Sequence, residues 1–203
     1  MSPRGPRAPL APDEVEVVPA TGRFADVARM VGPSVPGGQA CWCLSHRLLT
    51  AQLKDGGTER REEVMRELCE GPVPPGLLAY VDGELAGWVG AAPRSSMSYV
   101  ESSSRLVRAH DDDVWVVICL RVRPEFRRRG LTRLLIEAVV AEAARSGADA
   151  VEAYPVDPEG GKVDQTLAYV GLTSWFEDAD FERVLQTEAT SARLRRWLVR
   201  REL

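Results

Sequence analysis

The stretch Leu120–Val140, LRVRPEFRRRGLTRLLIEAVV, restricts what this chain can fold into more than any other part of it. The apolar, β-branched run VWVVICLRV reads as a buried strand over 114–122. It passes Arg123, Pro124, Arg127, Arg128 and Arg129 to reach Gly130, and then enters Leu131, Leu134, Leu135, Ala138 and Val139 at helical spacing. A strand that turns through a glycine into a helix gathers unpaired backbone N–H groups and the positive end of the helix dipole at one point. Such a point binds anions. Gly130 lets an anion approach the backbone closely, and Arg127, Arg128, Arg129 and Arg133 surround it with donors suited to phosphate. The arrangement favours a pyrophosphate. The simpler reading is a solvated charge run, and the strand-turn-helix order around the arginines argues against it.

The rest of the chain supplies a sheet for that unit. VEVVPA reads as a first strand, and GRFADVARMVG as a short helix with Phe24, Val27, Ala28 and Val31 on one face. Glycine and proline then break the pattern before the cluster ACWCL and the polar linker KDGGTE; the helix REEVMRELCE stops at Gly71-Pro72. Two apolar runs joined by Asp82-Gly83 predict a hairpin, and 94–113 reads as an irregular, partly helical excursion ending in acidic Asp111, Asp112 and Asp113. After the central helix come a strand in DAVEAYPV and a short helix turning into a strand in GLTSWFEDADFERVLQT. The tail RLRRWLVRREL reads as a last strand or a short basic helix, the strand being preferred. This order predicts an α+β (α/β) domain with a mixed, mostly antiparallel sheet of about six to seven strands, a parallel crossover at its centre and flanking helices. Residues 1–12 are expected to be a disordered leader and 13–203 one domain.

Charge and cysteine content exclude several classes. With a net charge of −4 over 203 residues, the chain has no overall field to draw it to nucleic acid or an anionic membrane. No run approaches the roughly 18 apolar residues of a membrane span, so a cytoplasmic location is expected. Cys41, Cys43, Cys69 and Cys119 lack a disulfide-scaffold spacing and read as reduced thiols. Cys41-x-Cys43-x-x-His46 offers only three ligands, and packing is the preferred reading; no metal is expected.

LRVRPEFRRRGLTRLLIEAV resembles the acetyl-CoA-binding motif of the GNAT superfamily of N-acetyltransferases: Gln or Arg, two residues, Gly, one residue, then Gly or Ala. Here Thr132 holds the last position. The Asp82-Gly83 hairpin, the strand VEAYP and SWFEDADF extend the resemblance over roughly residues 13–187. It implies central strands that splay apart after a bulge to admit the thioester. It also implies that the backbone of Leu120, Arg121 and Val122 pairs with the pantetheine arm. The amides from Arg128 through Arg129, Gly130 and Leu131 to Thr132, aided by Arg127 and Arg133, would hold the pyrophosphate.

Direct transfer to an amine requires a neutral amine, donors to the developing oxyanion and a proton for the leaving thiolate. The family often supplies that proton from a tyrosine, and Phe176 stands in its place, with Asp180 where a glycine is usual. Tyr154, Tyr169 and Ser174 are then the candidate acids, or water serves, and Ser174 is also counted among the expected cofactor-binding residues. Glu152, Glu101 and Asp111–Asp113 are candidates for the base, the aspartates reading more simply as a solvated loop, and Tyr154 and Glu152 are the preferred catalytic pair. Alternation places Glu152 and Tyr154 on one face of their strand. The expected function is acetyl-CoA-dependent acetylation of a primary amine of a small molecule by a monomer or homodimer. Its acidity would suit a cationic acceptor, although −4 is too small a charge to decide. The alternatives are a peptide or protein amine as acceptor, or a catalytically impaired acyl-CoA-binding module. Nucleic-acid binding through RRRG is disfavoured by the acidity.

Overall fold

Asp82 and Gly83 take left-handed φ angles of 51° and 74°. That is the backbone a two-residue hairpin turn needs to match the twist of its strands. They join β2 (Gly76–Val81) to β3 (Glu84–Pro93), and β1 (Val15–Pro19) pairs antiparallel with β2 on the outer side. In this computed structural model, which describes residues 8–35, 38–54, 57–161 and 169–203, one seven-stranded sheet runs in the order β1-β2-β3-β4-β5-β7-β6. The added strands are β4 (Val114–Val122), β5 (Ala150–Ala153), β6 (Glu182–Ser191) and β7 (Leu194–Glu202). Among these seven strands, β4 and β5 are the pair that runs parallel, from Val114↔Ala150 to Val117↔Ala153. The tail is therefore the strand β7.

Helices cover both faces: α1 (Phe24–Val31), α2 (Thr50–Lys54), α3 (Gly57–Glu70), α4 (Ser98–Ser102), α5 (Leu131–Arg145) and α6 (Thr173–Glu177). Leu131, Leu135, Ile136, Val139, Val140 and Ala143 of α5 are buried, a spacing that lays one stripe on the sheet. They pack with Trp115, Val117 and Val151. On the opposite face, Val27 and Val31 of α1 share a core with Trp42, Cys43, Leu44 and Trp88. Among the described residues no helix is long and apolar enough to cross a membrane.

Three details depart from expectation. Helix α2 falls in a stretch read as irregular, and Asp55-Gly56 of the expected linker lie outside the described residues. Strand β5 ends at Ala153, short of the run DAVEAYPV, because β4 no longer accompanies it. Of the expected leader, residues 1–7 lie outside the described residues, while Leu10 is buried and its N–H donates to Arg129 O at 2.9 Å.

Candidate active site

The break in β4 makes the site. Its register with β3 slips between Gly90↔Cys119 and Ala91↔Val117, which leaves Ile118 as an unpaired extra residue. A bulge of this kind bends the strand and re-aims its side chains. Ile118 and Cys119 both turn to the α1 face, whereas Val117 and Leu120 lie on the α5 face. Beyond Val117↔Ala153 the two parallel strands part, and a cleft opens between Ile118–Val122 and Tyr154–Val156. Backbone groups alternate in direction along a strand. Arg123 donates its N–H to Ala86 O of β3 at 2.9 Å, and Arg121 O lies on that same side against Gly87. The edge groups of Leu120 and Val122 therefore face the cleft. Of the three residues expected to line it, Arg121 turns its backbone to β3 and its Nη1 to Met30 O at 3.1 Å. Two edge groups have internal partners: Leu120 N–H donates to Tyr169 O at 2.8 Å, and Val122 O accepts from Arg127 Nε at 3.1 Å.

From Val122 the chain runs through the single turn Pro124–Phe126 to Gly130, which caps α5 with φ 81°. Arg128 is also left-handed, at 60°. The first-turn amides of α5, including Leu131 and Thr132, have no preceding helical carbonyl to bond. A Cβ built on Gly130 meets nothing within 4 Å, so the turn is open at Gly130 itself. Arg127, Arg128 and Arg133 are exposed around it, and Arg129 is half-buried with Nε on Ala8 O at 3.0 Å. A helix N-terminus with unpaired first-turn amides, an open turn and nearby exposed cations fit a pyrophosphate.

Glu152 and Tyr154 do share a face, but neither is a free acid or base. Glu152 is fully buried, with Oε2 3.2 Å from Arg94 Nη1 and Oε1 3.2 Å from Arg200 Nη1. The Tyr154 hydroxyl accepts from Arg94 Nη1 at 2.5 Å and donates to Val107 O at 2.9 Å. Burial, reinforced by the Glu152 charge, pushes its pKa up to about 12. Asp112 pairs with Arg200, Glu101 with Arg108, and Asp111 is exposed beside Arg108, so the acidic segment also serves ion pairs. Ser174 is exposed on α6. Phe176 is buried edge-on to Phe181 at 5.3 Å, and Asp180 takes φ 61°, the conformation a glycine would adopt there without strain.

Sequence reasoning missed Arg94 and Arg196. Each carries a charge into the core, which composition and periodicity do not signal. Arg196 Nε donates to Tyr154 O at 2.6 Å, and its Nη1 lies 3.0 Å from His46 Nε2. A guanidinium only donates, so His46 Nε2 is an acceptor and the ring is neutral. Burial, then the Arg196 charge, lowers the His46 pKa to about 3. His46 also meets Tyr99 and Tyr169 edge-on at 5.8 and 5.7 Å. Cys43 is buried and Cys41 Sγ lies 3.1 Å from Ser45 Oγ; among the described residues no group of three His, Cys, Asp or Glu is placed to hold a metal. The unfolded chain binds a proton at His46 near pH 6.5 that the folded chain refuses until about pH 3. Stability from this group is thus complete above pH 6.5 and falls by up to about 1.4 kcal/mol per pH unit on acidification through that window. Urea unfolding at pH 7, 6 and 5 should show a flatter pH slope for His46→Gln than for the wild type.

A cavity of about 270 Å³ opens between Arg94, Arg108, Asp113 and Trp115, at the opposite end of β4. None of the residues of the Gly130 turn lines that cavity.

A search of curated proteins finds no match to the chain. Solved structures superpose over nearly its whole length. The acetyltransferase of GNAT family from Streptococcus pneumoniae is 15% identical with TM-score 0.53, covering 94% of this chain and 99% of its own. Aminoglycoside acetyltransferase AAC(6')-Ib, in complex with ribostamycin and coenzyme A, is 14% identical with TM-score 0.55 and covers 94% of both chains. An agmatine N-acetyltransferase mutant is 13% identical with TM-score 0.57, covering 94% of this chain and all of its own. These likenesses establish the fold. The sequence profile of the Acetyltransferase (GNAT) family matches residues 45–160, more than half the chain and the whole of the bulged strand, the glycine turn and α5. The chain therefore belongs to the acetyltransferase (GNAT) family and is an N-acetyltransferase that takes acetyl-CoA as its acetyl donor.

Proposed function

We propose that the protein acetylates a primary amine of a small molecule, in the cleft between β4 and β5. The observation that carries the reading is the bulge at Ile118, which turns the Leu120 and Val122 edge into a cleft that leads directly to the Gly130 turn. Acetyl-CoA supplies the acetyl group as a thioester. The Leu131 and Thr132 amides with Arg127, Arg128, Arg129 and Arg133 hold the pyrophosphate, and the Leu120 and Val122 edges align the pantetheine arm. Trp42, Cys43 and Leu44 are buried over the α1 face, and His46, Tyr99 and Tyr169 cluster beside the cleft. Aromatic rings packed beside the cleft suit a small acceptor better than an extended peptide. AAC(6')-Ib with ribostamycin and the agmatine enzyme lend the same direction.

Tyr154 and Glu152 are positioning residues in this reading. With both bound to Arg94, they hold the β5 side of the cleft, and the thiolate takes its proton from Tyr169, Ser174 or water. Phe176 favours a second reading, an acyl-CoA-binding module without turnover, because its ring has no hydroxyl to give. Calorimetric titration with acetyl-CoA and with pantetheine, followed by a screen of small amines and peptides, separates the readings. Binding that requires the pyrophosphate, with turnover on a small amine, is expected. Turnover on peptides alone would move the acceptor class, and binding without turnover on any amine would leave the module.

A further inference from the structure

The cleft is crossed by a piece of the chain itself. Past Ala153, Val156 pairs in parallel with Leu172: its N–H donates to Gly171 O at 3.1 Å, and its carbonyl accepts from Thr173 N–H at 3.0 Å. Tyr169–Thr173 is thus anchored to the β5 side at one end. At the other end the Tyr169 carbonyl reaches across to Leu120 N–H on β4 at 2.8 Å. Gly171 makes the crossing possible. Its φ is 90°, and a Cβ there would strike the Phe176 ring at 2.7 Å and approach Leu120 Cδ1 at 3.4 Å. Val170 is buried, and the Tyr169 ring rests edge-on against His46.

Leu120 N–H has a single hydrogen, and it points into the cleft where the pantetheine arm and thioester would lie. The Tyr169 carbonyl and an oxygen of acetyl-CoA cannot both be bonded to it. The partner of Val122 is different in kind, because a carbonyl keeps a second lone pair after accepting from Arg127. We propose that Tyr169–Gly171 is a strap across the cofactor cleft, its Tyr169 carbonyl standing in for the cofactor's oxygen on Leu120 N–H, and that acetyl-CoA binds only as this end of the strap is released. The inference rests on the acetyl-CoA cleft proposed above. Gly171–Thr173 stays paired with Val156 and acts as the hinge. Apparent affinity is reduced by the fraction of molecules with the strap released, so whatever loosens the Tyr169 end tightens binding.

Two measurements test this. In wild-type protein, deuterated and labelled with 15N and 13C, a scalar coupling through the hydrogen bond between Leu120 N and the Tyr169 carbonyl carbon is expected before ligand is added and lost at saturation with acetyl-CoA. A coupling that persists at saturation overturns the strap. In calorimetry, Tyr169→Ala, which removes the ring that rests on His46, is expected to bind acetyl-CoA about five- to tenfold more tightly; unchanged or weaker binding by a folded variant overturns it. If that variant does not fold, the wild-type coupling decides. Wild type and variant both failing to bind acetyl-CoA would sink the cofactor reading itself and the strap with it, a result distinct from binding that leaves the coupling in place.

Discussion

Gly130→Glu will lower the affinity for acetyl-CoA at least about thirtyfold while the protein stays folded. A Cβ at this position enters open space, so the fold loses only the strain of φ 81° in a residue with a side chain, about 1–2 kcal/mol. Binding loses far more. The new carboxylate stands over the Leu131 and Thr132 amides, at the point where a pyrophosphate would carry two negative charges. Each like-charge pair at a few ångströms costs about 1–4 kcal/mol between the solvent and protein-surface limits. At about 1.4 kcal/mol per tenfold, two such pairs, about 2–8 kcal/mol together, correspond to a loss of about thirtyfold at the least. Gly130→Ala has the same backbone strain without the charge, and calorimetry should find it much closer to wild type. If both variants lose affinity equally, strain and not charge is responsible; normal binding by the glutamate variant would place the cofactor elsewhere.

Glu152→Gln will cost about 3–5 kcal/mol of folding stability, the loss typical of removing one member of a buried ion pair. Glu152 lies between Arg94 and Arg200, both buried, and among the described residues no other carboxylate reaches both. Arg94 also depends on Glu101 at 3.6 Å and on the carbonyls of Val100 and Leu106, while Arg200 turns outward to Asp112 and Glu202. Those outer carboxylates, Glu202 first, hold the Arg200 pKa above its usual value, so Arg200 stays charged when Glu152 is lost. A chain of this size loses about 2–4 °C of Tm per kcal/mol, so thermal unfolding should fall by roughly 6–20 °C. A variant with unchanged Tm but lost turnover would show that Glu152 acts on substrate and would restore it as a base.

The sheet was legible because its strands carry dense local signals. VWVVICLRV matches β4 from end to end, and Asp82-Gly83 fixes the hairpin through the two backbone angles only such a pair adopts readily. The glycine turn was legible for the same reason: strand, glycine and amphipathic helix follow one another in sequence. The cleft edge was less so. A bulge is a mismatch between two strands, and nothing in ICLRV alone shows that Ile118 will be the residue left over, or that Arg121 will turn away. The surroundings of the candidate catalytic residues were hidden for a related reason. Alternation put Glu152 and Tyr154 together correctly, but Arg94, Arg196 and Arg200 arrive from 42 to 60 residues away and use up their polar atoms. Buried arginines in a chain rich in surface arginines leave no trace in composition.

The N-terminal stretch has a practical consequence. Leu10 N–H bonds Arg129 O and Ala8 O accepts from Arg129 Nε, which ties residues 8–10 to the residue next to Gly130. A purification tag joined directly to Ala8 would begin at the rim of the Gly130 turn, where a histidine-rich or acidic extension would compete for the amides proposed to hold the pyrophosphate. Affinities for acetyl-CoA are therefore comparable between preparations only when the tag sits after Leu203 or has been cleaved.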